Sequence, residues 1–121
     1  MHVLGIDPAL TGAIVLCSVQ GGALRADLAL YWRKHKDRRF VLHTATSDTH
    51  GSSVYQQITH VAYAALAKVE AHLAALPTPA QAPLVAFEQP FMGRGRATSV
   101  QIALNAGRIV APFEASYTND A

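Results

Sequence analysis

The sequence predicts an α/β domain built on a mixed sheet. Three observations carry this. The chain opens with apolar, β-branched runs separated by tight-turn signals. A long stretch follows in which apolar residues recur every three or four places. A short, wholly apolar run, "LVAF", comes after it. The predicted order is three antiparallel opening strands, a crossover helix, a strand parallel to an earlier one by the right-handed rule, and a packing helix.

Each element has its own reason. Residues 2–7 are mostly apolar and suit a central strand. "PALTG" is a turn, since Pro8 fixes its own φ and Gly12 tolerates unusual dihedrals. Residues 13–19, "AIVLCSV", form a β-branched second strand with Cys17 as a small core residue. "QGG" signals a hairpin into "ALRADLALYW". There Leu24, Ala26, Leu28 and Leu30 are expected on one face, Arg25 and Asp27 on the other, with Trp32 packing down at the end. Residues 33–52 read as a polar, basic loop whose end, Ser52 or Ser53, caps a helix. That helix runs from Val54 to Leu76, and Pro77 and Pro79 end it. After "LVAF" and Glu88 comes the Gly- and Arg-bearing loop "QPFMGRGR". Thr98 or Ser99 then caps a second helix reaching about Glu114.

Composition bounds the class. The 121 residues predict one domain, 1–121, and half of them are hydrophobic, which argues against disorder. No apolar run approaches the roughly 20 residues of a membrane helix. Met1-His2-Val3 lacks the basic start of a signal peptide, and a single cysteine excludes an internal disulfide. A cytoplasmic setting is the expectation. The net charge is +2, but "WRKHKDRRF" (32–40) carries five cations against one acid, +4, which leaves the remaining residues at −2. Such a patch suits a polyanion, or else is a solvated loop.

Asp7 and Glu88 each end an apolar strand. With the later strand beside the first, the two carboxylates fall at adjacent strand ends. Like charges so close repel unless a cation sits between them. Oxygen-only ligation favours Mg²⁺, with Mn²⁺ as the other choice. The competing reading of Asp7 is a cap for the turn before Pro8. The six histidines show no metal-ligand spacing; His60 and His72 belong on the solvated side of the long helix. No partner is evident for Asp37 or Asp48.

"LGIDPALTG" together with "VAFEQPFMGRGRATSVQIALNAGRIVA" resembles the RuvC-type Holliday-junction resolvases, which have a ribonuclease H-like fold. The matching residues are Asp7 in the first motif, Glu88-Gln89, and Phe91-Met92 after them. The likeness spans about residues 3–19 and 84–111. It implies a Mg²⁺-dependent endonuclease acting as a homodimer on four-way DNA junctions, with Asp7 and Glu88 as catalytic metal ligands. Phe91 would stack on a distorted base, and Arg94 and Arg96 would touch phosphates. Arg33, Lys34 and Lys36 could extend the backbone contact. Phe91 as a core residue, and Arg94 and Arg96 as solvated loop residues, are the plain alternatives.

The family also has acids on a C-terminal helix behind a fifth strand. This sequence stops soon after its second helix, so the implied fold lacks that C-terminal part. Beyond Phe113 only Glu114 and Asp120 are acidic. An exposed sheet edge and an uncovered helix face are expected, and such surfaces pair with another chain. Three functions compete. The first is a junction endonuclease, or the major part of one. The second is a non-catalytic module of the same fold that binds branched DNA. The third is an ATPase-type domain of the sugar-kinase and actin kind, whose first phosphate loop "GIDPALTG" also resembles.

Overall fold

The computed structural model describes residues 1–78, 80–88 and 96–117, with 96–99 by their backbone. Six strands and two helices follow one another as β1 (His2–Asp7), β2 (Gly12–Gln20), β3 (Ala23–Lys34), β4 (Phe40–Thr46), β5 (His50–Tyr55), α1 (Ile58–Ala74), β6 (Leu84–Phe87) and α2 (Arg96–Tyr117). They build one mixed sheet in the order β5-β4-β3-β2-β1-β6. The first five strands pair antiparallel, each with the next. β6, reached through α1, pairs parallel with β1.

The α/β class, the mixed sheet and the parallel last strand agree with the sequence. The number of opening strands does not: there are five, where three were expected. Residues 40–46 and 50–55, read as polar loop, form the hairpin of β4 and β5. Phe40 and Leu42 face the core at a strand period. β5 lies at the sheet edge, so its Gly51, Ser52 and Ser53 reflect a solvated strand as well as a turn. Thr46 and Thr49 close the hairpin, the Thr46 N–H donating to the Thr49 carbonyl at 2.9 Å.

The helix starts also move. α1 begins at Ile58 behind Gln57, not behind Ser52 or Ser53, because those serines belong to β5. α2 begins at Arg96, so Thr98 and Ser99 fall inside its first turn and do not cap it; it runs past Glu114 to Tyr117 and contains Pro112.

Both helices pack on one face of the sheet and on each other. Leu4, Ile6, Ile14, Leu16, Leu30, Trp32 and Leu42 supply the sheet side of the core. Val61, Ala65 and Val69 of α1 meet them, with Ile109, Val110 and Phe113 of α2. A fully buried side chain of this kind contributes about 1.5–3 kcal/mol. The other face keeps Val15, Cys17, Val41 and His43 only half-buried. Cys17 is therefore a residue of the open face, not of the core, because it alternates with the buried Leu16.

One bulge changes the predicted facing of β3. Leu28 pairs with Leu16, but Ala26 pairs with Cys17, so Asp27 is the extra residue. Leu28 and Leu30 face the core as expected. Leu24 and Ala26 are thrown to the other side, and Leu24 is 66% exposed. The expected Gln20–Ala23 hairpin forms through Gly21 and Gly22 at φ 57° and 79°, the left-handed conformation that glycine accepts readily.

Candidate active site

β1 and β6 bring the two strand-ending acids together. Their register pairs Ile6 with Phe87, and the Glu88 N–H donates to the Ile6 carbonyl at 3.0 Å. One step further along the same register, Asp7 stands beside Glu88. Neighbouring strands lie about 4.8 Å apart, which sets the separation of the two backbones. Both residues are exposed. Neither carboxylate has an ion-pair or hydrogen-bond partner among the described residues. The cap reading of Asp7 thus finds no hydrogen bond in the turn that follows.

That turn is held from below. Pro8 is buried, and the Trp32 indole N–H donates to the Ala9 carbonyl at 2.8 Å. Gly12 closes the turn where no side chain fits. A Cβ there would lie 2.3 Å from the Asp7 carbonyl oxygen and 2.7 Å from Cζ2 of Trp32. The small residue and the large ring together fix the backbone that presents Asp7.

The basic stretch lies at the same end of the sheet. Asp7 pairs with Ala13, and Ala13 with Tyr31, so Arg33 and Lys34 end β3 two strand spacings away, on the order of 10 Å. They alternate, Arg33 to the open face and Lys34 toward the helices. Lys36 sits in the tight β3–β4 turn. The His35 N–H donates to the Arg39 carbonyl at 2.8 Å, and Arg38 takes φ 67°. Asp37, for which the sequence suggested no partner, pairs with Arg39. The side-chain hydrogen bond from Arg39 lowers the Asp37 carboxyl below its ordinary range and raises the Arg39 guanidinium. The net positive charge of the turn therefore rests on Arg33, Lys34, Lys36 and Arg38.

Phe91 and Arg94 lie outside the described residues, as do Gln89 and Met92. Arg96 opens α2 and is placed by its backbone. Among the described residues no group of three or more His, Cys, Asp or Glu side chains gathers as a metal site. No described helix is long and apolar enough to cross a membrane. One contact escaped the sequence reading. Tyr31 and His43 stack at 4.9 Å with planes 18° apart, a cross-strand pair that became legible only once β4 was known. No known protein family, no curated protein and no solved structure gives a match to this chain.

Proposed function

We propose that this is a ribonuclease H-like, metal-dependent endonuclease domain directed at branched DNA, of the RuvC-type resolvase kind. The observation that carries the reading is the placement of Asp7 and Glu88 at neighbouring ends of the parallel strands β1 and β6. Two exposed, unpartnered carboxylates are hard oxygen donors. They fit Mg²⁺, which keeps several waters and is held by one or two carboxylates plus substrate phosphate. Mn²⁺ suits the same donors. When bound, such an ion offsets phosphate charge and lowers the pKa of a bound water.

The chain's own residues supply position and charge. Asp7 and Glu88 hold the ion at the sheet's end. Arg33, Lys34 and Lys36 neutralise backbone phosphates, which gives affinity without sequence information. Arg94, Arg96 and Phe91 are proposed to act beside them, on phosphate and on an unpaired base. A homodimer fits the two-fold symmetry of a four-way junction, which offers each subunit an equivalent strand.

A second reading is a branched-DNA-binding module that does not cut. The pair supplies two carboxylates, and no third acid joins them among the described residues. The test is incubation of a labelled four-way junction and a matched linear duplex with the protein, with and without Mg²⁺ or Mn²⁺. Metal-dependent nicks confined to the junction, lost in Asp7→Asn with binding retained, are expected of the endonuclease. A junction-specific shift without nicks selects the binding module. Equal treatment of both DNAs overturns both readings.

A further inference from the structure

A separate cleft of about 650 Å³ opens on the helix-covered side of the sheet, between the start of α1, the end of β3 and the middle of α2. Among the described residues its polar lining is Lys34, Gln57, Thr59, Gln101, Asn105 and Arg108, with no carboxylate. Its volume lies in the range of small-molecule sites.

Three features of the cleft favour an anion. Gln57 caps α1 without a side-chain hydrogen bond, and the first turn carries no acid. The N–H groups of Ile58 and Thr59, first in the helix, have no intrahelical acceptor, and the helix dipole adds positive potential there. Two cations, Lys34 and Arg108, line the space from β3 and α2. Independently of the helix end, Asn105 points to a ligand. It is only 7% exposed and lines the cleft, yet its amide makes no hydrogen bond among the described residues. The Asn105 side chain is packed in, but its amide atoms keep some access to the cleft and so remain open to a ligand.

We propose that this cleft binds a phosphate group carried by a nucleotide or a nucleic-acid strand. The phosphate sits at the N-terminus of α1, between Lys34 and Arg108, and Asn105 donates to it. Gln57 and Gln101 line the remaining polar wall. The site is distinct from the Asp7–Glu88 pair and does not depend on a metal there.

The experiment is titration calorimetry with three probes: inorganic phosphate, a 5′-mononucleotide, and a short single-stranded oligonucleotide. Each is run without divalent metal on the wild-type chain and on Lys34→Gln, Arg108→Gln and Asn105→Leu. The two exposed cations are replaceable without touching the core, so their variants keep the test sound if Asn105→Leu fails to fold. Binding weakened about tenfold or more in Lys34→Gln and Arg108→Gln is expected, as for a lost charge-assisted hydrogen bond. A mononucleotide bound as tightly as the oligonucleotide identifies a free nucleotide as the source. Tighter binding of the oligonucleotide identifies a strand. No binding of any probe, or binding indifferent to Lys34 and Arg108, overturns the proposal.

Discussion

The Trp32 indole N–H and the Ala9 carbonyl, 23 residues apart, are joined by a 2.8 Å hydrogen bond that ties the end of β3 to the turn behind Asp7. Trp32 is almost wholly buried, so its ring anchors in the core while its polar edge reaches the turn. Trp32→Phe keeps an aromatic ring and removes the donor and some volume. The expected loss is about 2 kcal/mol of stability, read from the urea midpoint. Faster amide exchange at residues 10–12 should accompany it. Unchanged exchange there would show that the turn holds itself.

Gly12 and Gly51 make a paired prediction. Gly12 has the Asp7 carbonyl and the Trp32 ring where a Cβ would go, whereas Gly51 has open space. Gly12→Ala should destabilise by about 1–3 kcal/mol through overpacking and displace Asp7. Gly51→Ala should be neutral or stabilise by about 0.4–1 kcal/mol, since it narrows the unfolded ensemble. Denaturant unfolding of both variants decides it. Equal midpoints would mean that the turn yields at little cost.

Much of the site was legible because it rests on short-range signals. "GIDP" and "AFEQ" each end an apolar run in an acid, and the right-handed crossover through one helix places the two runs side by side. Ala106, Ile109, Val110 and Phe113 show the helical period of α2 openly. The β4–β5 hairpin was hidden because an edge strand needs little hydrophobicity. Ser52 and Ser53 serve a solvated strand as well as they serve a cap. The bulge at Asp27 was hidden for another reason. "LRADL" alternates apolar and polar residues without a break, and only pairing with β2 reveals that one residue is left over. The cleft at the α1 terminus was invisible because its lining comes from four separated segments.

The basic turn predicts a salt response. Arg33 and Lys36 are exposed and unpaired among the described residues, whereas the charge of Arg39 is already matched by Asp37. Replacing Arg33 and Lys36 with Gln should flatten the plot of log affinity for DNA against log salt by about 0.9 per lost contact. Replacing Asp37 and Arg39 together with Asn and Gln should leave the slope nearly unchanged. The reverse pattern, read by fluorescence anisotropy at several salt concentrations, would assign the phosphate contacts to Arg39 instead.

Tyr117 at the end of α2 carries a buried hydroxyl with no hydrogen-bond partner among the described residues. Burial raises its pKa above the usual tyrosine value, and the charge of Glu70 adds to the shift. The folded chain thus holds the phenolic proton more tightly than the unfolded chain. Its contribution to stability is intact below about pH 10, the ordinary tyrosine pKa, and is lost as pH rises toward the higher folded value. Tyr117→Phe removes both the orphaned oxygen and the titrating group. It should stabilise by up to about 1–2 kcal/mol at neutral pH, because an unpaired polar atom leaves the interior. It should also flatten the fall in stability above about pH 10. Urea unfolding at pH 7, 9 and 10.5 checks both. A less stable Phe variant would show that the hydroxyl is satisfied in solution and that its burial costs nothing.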